Sequence, residues 1–310
     1  MHKQKYLPAA AALLFSPALL ASTSFNFSPD AVTTNISTGV LNGESKELVY
    51  NQHDGSKLSE LKWKIKNTPI IKGGISWDAQ RYITLNANGW TTFASRRSHM
   101  SDYDWQTPGQ SHWSDKSTHP DTRLNYANQF DLNLTGWLLK EPAYNLGIVT
   151  GYQETRYSWT ARGGSYNYFN GALVGEFPAG KPGIGYSQKF SLPYVGLTGS
   201  YRYQDFDLAA QFKFSPWVNA RDNDEHYMRQ LSFSEKGSHS DYYAATLSAG
   251  YYVTPNTRLY TELTWTRFAE AKASTKTRDN KTGETWSQGG NAAGLSNDSY
   301  TYGVGIQYRF

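Results

Sequence analysis

Along much of this chain apolar and polar residues alternate one by one. At the C-terminus Tyr300, Tyr302, Val304, Ile306, Tyr308 and Phe310 share one face, and Thr301, Gly303, Gly305, Gln307 and Arg309 share the other. Tyr243, Ala245, Leu247, Ala249, Tyr251 and Val253 repeat the pattern against Tyr242, Ala244, Thr246, Ser248 and Gly250. So do Leu259, Thr261, Leu263 and Trp265, then Phe130, Leu132, Leu134 and Leu138, then Tyr144, Leu146 and Ile148. The polar faces hold acids, Asp131 and Glu262 among them. Such acids are costly in a dry core. Lipid on one face and a hydrated lumen on the other accommodates both, which predicts an all-β fold, an antiparallel transmembrane β-barrel.

The connections support this. Tight ones are expected near Trp77-Asp78, Glu141-Pro142, Gln204-Asp205 and Thr254-Pro255. Long polar ones are expected over 100–121, 165–183, 222–240 and 276–297, with a shorter one near Asp54-Gly55. Four short turns and five outer loops join ten strands and leave both termini on the periplasmic side. The strands exceed the ~10 residues that cross a bilayer, so the barrel should project beyond the membrane on the long-loop side.

Composition agrees. Aromatic residues make up 15% of the chain, at a mean hydropathy of −0.64. A membrane barrel carries that many rings in its interfacial girdles. There is no Cys, so no disulfide is expected. A net charge of +4 without a basic stripe gives no sign of a nucleic-acid partner. At the N-terminus Lys3 and Lys5 precede an apolar run from Leu7 to Ala21. Residues 1–21 read as a secretory signal peptide, too short for a comfortable span, and 22–310 as one barrel domain.

Two acidic clusters carry the candidate chemistry. Asp224 and His226 lie two apart, as do Asp102 and Asp104, so each pair shares a face of an extended segment. Both clusters fall at the outer rim in this topology and can face one another across the barrel mouth. A carboxylate beside an imidazole raises its basicity, and two close carboxylates tend to share one proton. No Ser stands in a nucleophile-elbow context, which leaves attack by activated water. The alternatives are solvated loop acids and a metal site. One His among several Asp fits neither the usual zinc nor the usual calcium pattern, so no catalytic metal and no cofactor is expected.

The segments D-N-D-E-H-Y at 222–227, H-M-S-D-Y-D-W at 99–105, W-T-A-R-G-G-S-Y at 159–166, G-Y-Q-E-T-R at 151–156 and G-Y-Y-V-T-P-N at 250–256 resemble motifs of the omptin family. H-Y-M-R at 226–229 and W-K-I-K-N at 63–67 resemble its plasminogen-activator branch. The resemblance spans essentially the whole mature chain. It implies a ten-stranded, monomeric outer-membrane endopeptidase, its site facing the exterior, that cuts after or between Arg and Lys. It further implies that Asp224 and His226 activate water, that Asp102 and Asp104 bind that water or the oxyanion, that Glu47 and Asp222 grip the basic side chain, and that Met100 and Ile184 line the next pocket. Lipopolysaccharide is implied as a required lipid, at Tyr152, Glu154, Arg156 and Lys189.

The chain departs from the family in carrying Lys189 where relatives often have Arg, in lacking a basic residue near Ser238, and in placing Arg96-Arg97 beside the site. Plasminogen, complement proteins and antimicrobial peptides all offer basic cleavage sites. A non-enzymatic barrel acting as an adhesin is the competing reading, and a lipid hydrolase or acyltransferase a further one with no serine nucleophile or acyl groove to support it.

Overall fold

The structure is a computed structural model and describes residues 25–95 and 97–310. The expected signal peptide and Arg96 lie outside the described residues. One antiparallel sheet contains β1 (Val32–Tyr50), β2 (Lys57–Gln80), β3 (Ile83–Thr92), β4 (Arg97–Asp104), β5 (Asp115–Lys140), β6 (Tyr144–Tyr168), β7 (Leu173–Tyr203), β8 (Phe206–His226), β9 (Leu231–Thr254), β10 (Thr257–Asp279) and β11 (Thr285–Arg309). β1 pairs with β2 on one edge and β11 on the other, which closes the ring. β3 and β4 lie end to end between β2 and β5, so the ring has ten staves, as expected.

Lipid offers no hydrogen bonds, so only closure can pair every backbone group of a spanning sheet. The outward faces follow the sequence pattern. Leu132 and Leu134, Ile148, Leu197, Leu208, Leu247, Leu263 and Val304 are exposed in an apolar band. The inward faces at the same level are polar and paired. Lys72 bonds Glu262 at 2.9 Å, Arg258 bonds Asp207 at 2.5 Å, and Lys213 and the Tyr194 hydroxyl both reach Asp131. The acids that argued for a wet lumen are therefore also matched by cations.

Beyond the apolar band the interior changes. Trp63 stacks on Tyr186 with centroids 5.0 Å apart, and Trp159 packs against both. Phe190 stacks on Phe268 at 4.2 Å. These rings come from β2, β6, β7 and β10 and belong to one buried cluster with Leu41, Met100 and Leu295. They bridge the barrel and form a floor.

Several expected connections differ. Most of 165–183, 222–240 and 276–297 is strand, interrupted only at 169–172, 227–230 and 280–284; within 100–121 only 105–114 is loop. Above the membrane the outer face meets water, so polar residues occupy both faces. The period-two signal then fades although pairing continues. The turn expected at Trp77-Asp78 falls at Arg81-Tyr82. Trp77 Nε1–H donates to Asn26 O at 2.7 Å and Asp78 Oδ1 accepts from Thr84 at 2.6 Å, and β2 runs on to Gln80.

Leu263 faces outward within the apolar band, opposite Leu247 and Tyr302. Leu263→Arg is expected to destabilise the bilayer-inserted barrel by about 2–4 kcal/mol, measured by urea unfolding in lipid vesicles.

Candidate active site

β4 and β8 carry the two clusters as strand residues, not loop residues. On β4, Met100 and Asp102 alternate inward and pair with Trp63 and Leu61 of β2. On β8, Asp222, Asp224 and His226 share the inward face, and Arg221, Asn223 and Glu225 take the outward phase. Asn223 Nδ2–H donates to Glu225 Oε1 at 3.0 Å, Ser232 donates to Glu225 and Ser234 to Asn223, which braces β8 against β9 from outside.

His226 Nε2 lies 2.7 Å from Asp224 Oδ2. A carboxylate only accepts, so Nε2 carries the proton and Nδ1 keeps its lone pair. Phe233 packs edge-on against the ring, centroids 5.3 Å apart. Burial by itself would lower the imidazole pKa, but the Asp224 carboxylate outweighs it and the net direction is upward. Asp102 is pushed up to about 8 by burial and then by the charge of Asp104, against a hydrogen bond of 3.1 Å from the Ser59 hydroxyl. Burial also raises Asp104. The charges of His226 and Asp224 reach Asp102, so the barrel brings the two clusters within electrostatic range.

A second acidic group lies beside the dyad. Glu47 of β1, Asp222 of β8 and Glu235 of β9 each place a carboxylate oxygen within 4.8 Å of the others. They are 2%, 9% and 2% exposed. Asp222 Oδ1 accepts from the Glu235 backbone N–H at 3.0 Å and Oδ2 from the Tyr186 hydroxyl at 3.1 Å, which ties the group to the aromatic floor. Burial, reinforced by the neighbouring acids, holds Glu47 and Asp222 well above the usual carboxylate range. Glu235 escaped the sequence reading because Ser232–Lys236 looks like loop; only strand phase turns it inward. Ile184 pairs with His226 across β7 and β8. Met100 is fully buried in the floor cluster.

Sequence reading also missed Ser117 and His119, inward on β5 and paired with Asp102 and Met100. His119 Nδ1 lies 2.5 Å from Gly163 O, so Nδ1–H donates and Nε2 accepts from the Ser117 hydroxyl at 3.0 Å. Phe177 stacks on the ring. The arrangement secures the base of the β6–β7 projection to the cleft wall.

On the outer surface Glu154 is buried between Arg156 at 2.5 Å and Lys189 at 2.6 Å, with Tyr152 exposed two residues below. Strand register extends this group. Arg156 pairs with Lys189, Lys189 with Arg221, and Arg221 with Lys236, which gives one outward row of cations across four strands. Arg97 is exposed and pairs with Arg123 of β5.

The omptin family model matches residues 28–310. The chain is 52% identical to the plasminogen activator of Yersinia pestis over 312 residues, covering all of both chains. It is 48% identical to protease 7 of Escherichia coli O157:H7, covering 94% of each. The crystal structure of the outer membrane protease OmpT from Escherichia coli superposes with a TM-score of 0.88 at 46% identity, covering 93% of this chain and all of that one. A ten-stave barrel with paired acids facing an Asp–His pair above an aromatic floor, and these full-length similarities, lead to one conclusion: the chain belongs to the omptin family of outer-membrane proteases.

Proposed function

We propose that this protein is an exterior-facing endopeptidase that cuts after or between basic residues with a water activated by His226. The observation that carries the reading is the 2.7 Å contact between His226 Nε2 and Asp224, which leaves Nδ1 as the base. Asp224 fixes that tautomer and stabilises the imidazolium that forms when the water loses its proton. Asp102, protonated in the neutral range, donates a hydrogen bond to the developing oxyanion, with Asp104 beside it. Glu47 and Asp222, with Glu235 as a third acid, take the substrate's guanidinium or ammonium. The aromatic floor keeps the cleft shallow, which suits an extended peptide crossing the barrel mouth. The relative's description as a plasminogen activator makes plasminogen one candidate substrate.

The outer cation row is the basis for a lipid requirement. Arg156, Lys189, Arg221 and Lys236 stand just beyond the apolar band, where lipopolysaccharide phosphates lie. Lys236 supplies a cation close to the position where the region around Ser238 lacks one.

On a quenched peptide containing Arg-Arg, with lipopolysaccharide present, Asp224→Ala and His226→Ala are each expected to lower kcat about 10²–10⁴-fold, the usual worth of general acid–base groups. Equal rates in wild type and both variants would remove the dyad from the mechanism. Activity should follow a bell in pH. It falls as pH drops through the raised His226 pKa, because the base gains a proton, and it falls above about 8, where Asp102 loses its own. A flat profile between pH 5 and 9 contradicts both assignments. Arg221→Gln and Lys236→Gln should each weaken activation by lipopolysaccharide about fivefold, from about 1 kcal/mol per surface cation.

A further inference from the structure

We propose that Glu47, Asp222 and Glu235 bind a hard divalent cation of the calcium class, which a substrate's basic side chain displaces. Calcium takes oxygen ligands at about 2.3–2.6 Å, so ligands on opposite sides of one ion stand about 5 Å apart. Three carboxylate oxygens within 4.8 Å of one another fit around a single ion of that size. The set contains no imidazole or thiolate, which distinguishes it from a zinc site.

An independent feature points to a ligand. Glu47 Oε2 and Glu235 Oε2 are buried without any hydrogen-bond partner. The same holds for Oε1 of Gln188, which pairs with Asp222 across β7 and β8 on the inward face. A buried carboxyl oxygen without a hydrogen-bond partner costs free energy whether or not the group is ionised. Among the described residues no lysine or arginine forms an ion pair with any of the three acids. A cation from outside the chain would supply the partners that the chain itself does not. Carboxylate oxygens are the usual calcium donors. Displacement by substrate rests on the basic-side-chain reading above; the ion site itself does not.

The test uses the refolded full chain in a zwitterionic detergent, free of lipopolysaccharide and stripped with chelator. Terbium(III) is the probe, because it accepts calcium-type ligands and its emission is sensitised by nearby rings. Tyr186 bonds Asp222 directly and stacks on Trp63, so the site carries its own antenna. Saturable emission is expected, reversed by calcium chloride and by a non-cleavable arginine peptide. Glu47→Gln and Glu235→Gln should weaken terbium affinity at least tenfold, and Glu284→Gln in the exposed turn between β10 and β11 should leave it unchanged. Heat-modifiable migration on a gel checks that each variant is folded. Where a variant does not fold, competition between calcium and the arginine peptide on wild type decides. Absence of saturable emission, indifference to both acid substitutions, or lack of competition overturns the proposal. Variants that lose terbium but still cleave after Arg at the wild-type rate would instead overturn the pocket reading and leave the ion site standing.

Discussion

Closure of the hydrogen-bonded ring is the constraint on which the rest depends. In lipid an open edge would leave backbone groups without partners, so β1 must meet β11 as well as β2. Once closed, the ring continues past the membrane as strand. β6 and β7 are 25 and 31 residues long, against the roughly 10 that a bilayer requires. The excess forms stiff walls, and walls hold side chains in fixed opposition where loops would let them drift.

That stiffness is what the site requires. Asp102, Asp104, Asp224, Glu47, Asp222 and Glu235 crowd one end of the lumen, and like charges in a buried place repel. Mobile loops would relieve the repulsion by moving apart. Here each acid is set by a strand paired on both sides, and the rings of Trp63, Trp159 and Tyr186 block collapse downwards. Burial first, and the neighbouring acids second, raise the pKa values of Glu47, Asp102 and Asp222 instead, which keeps Asp102 protonated near neutrality.

The two faces of a strand carry opposite charge one residue apart. Arg221 points out and Asp222 points in; Lys236 points out and Glu235 points in. Alternation thus separates a cation row on the outer surface from an acid cluster inside the wall. A one-residue slip in register would exchange them, and pairing on both edges prevents it.

The sequence by itself determined the barrel, because the apolar alternation from Tyr300 to Phe310, and its copies, report contact with lipid directly. It also identified Asp102, Asp104, Asp224 and His226 and their spacing of two, since a shared face follows from strand geometry alone. It misread the segments above the membrane as loops, because polar residues on both faces erase the period that reveals a strand. Glu235, Ser117 and His119 lay in or beside those segments and went unseen for that reason. Only the tertiary structure decided that Glu47, Asp222 and Glu235 meet, since they come from three strands brought together by closure. It alone buried Met100 in the floor and aligned Arg221 and Lys236 with Arg156 and Lys189. Those relations depend on register between strands, which no single segment encodes.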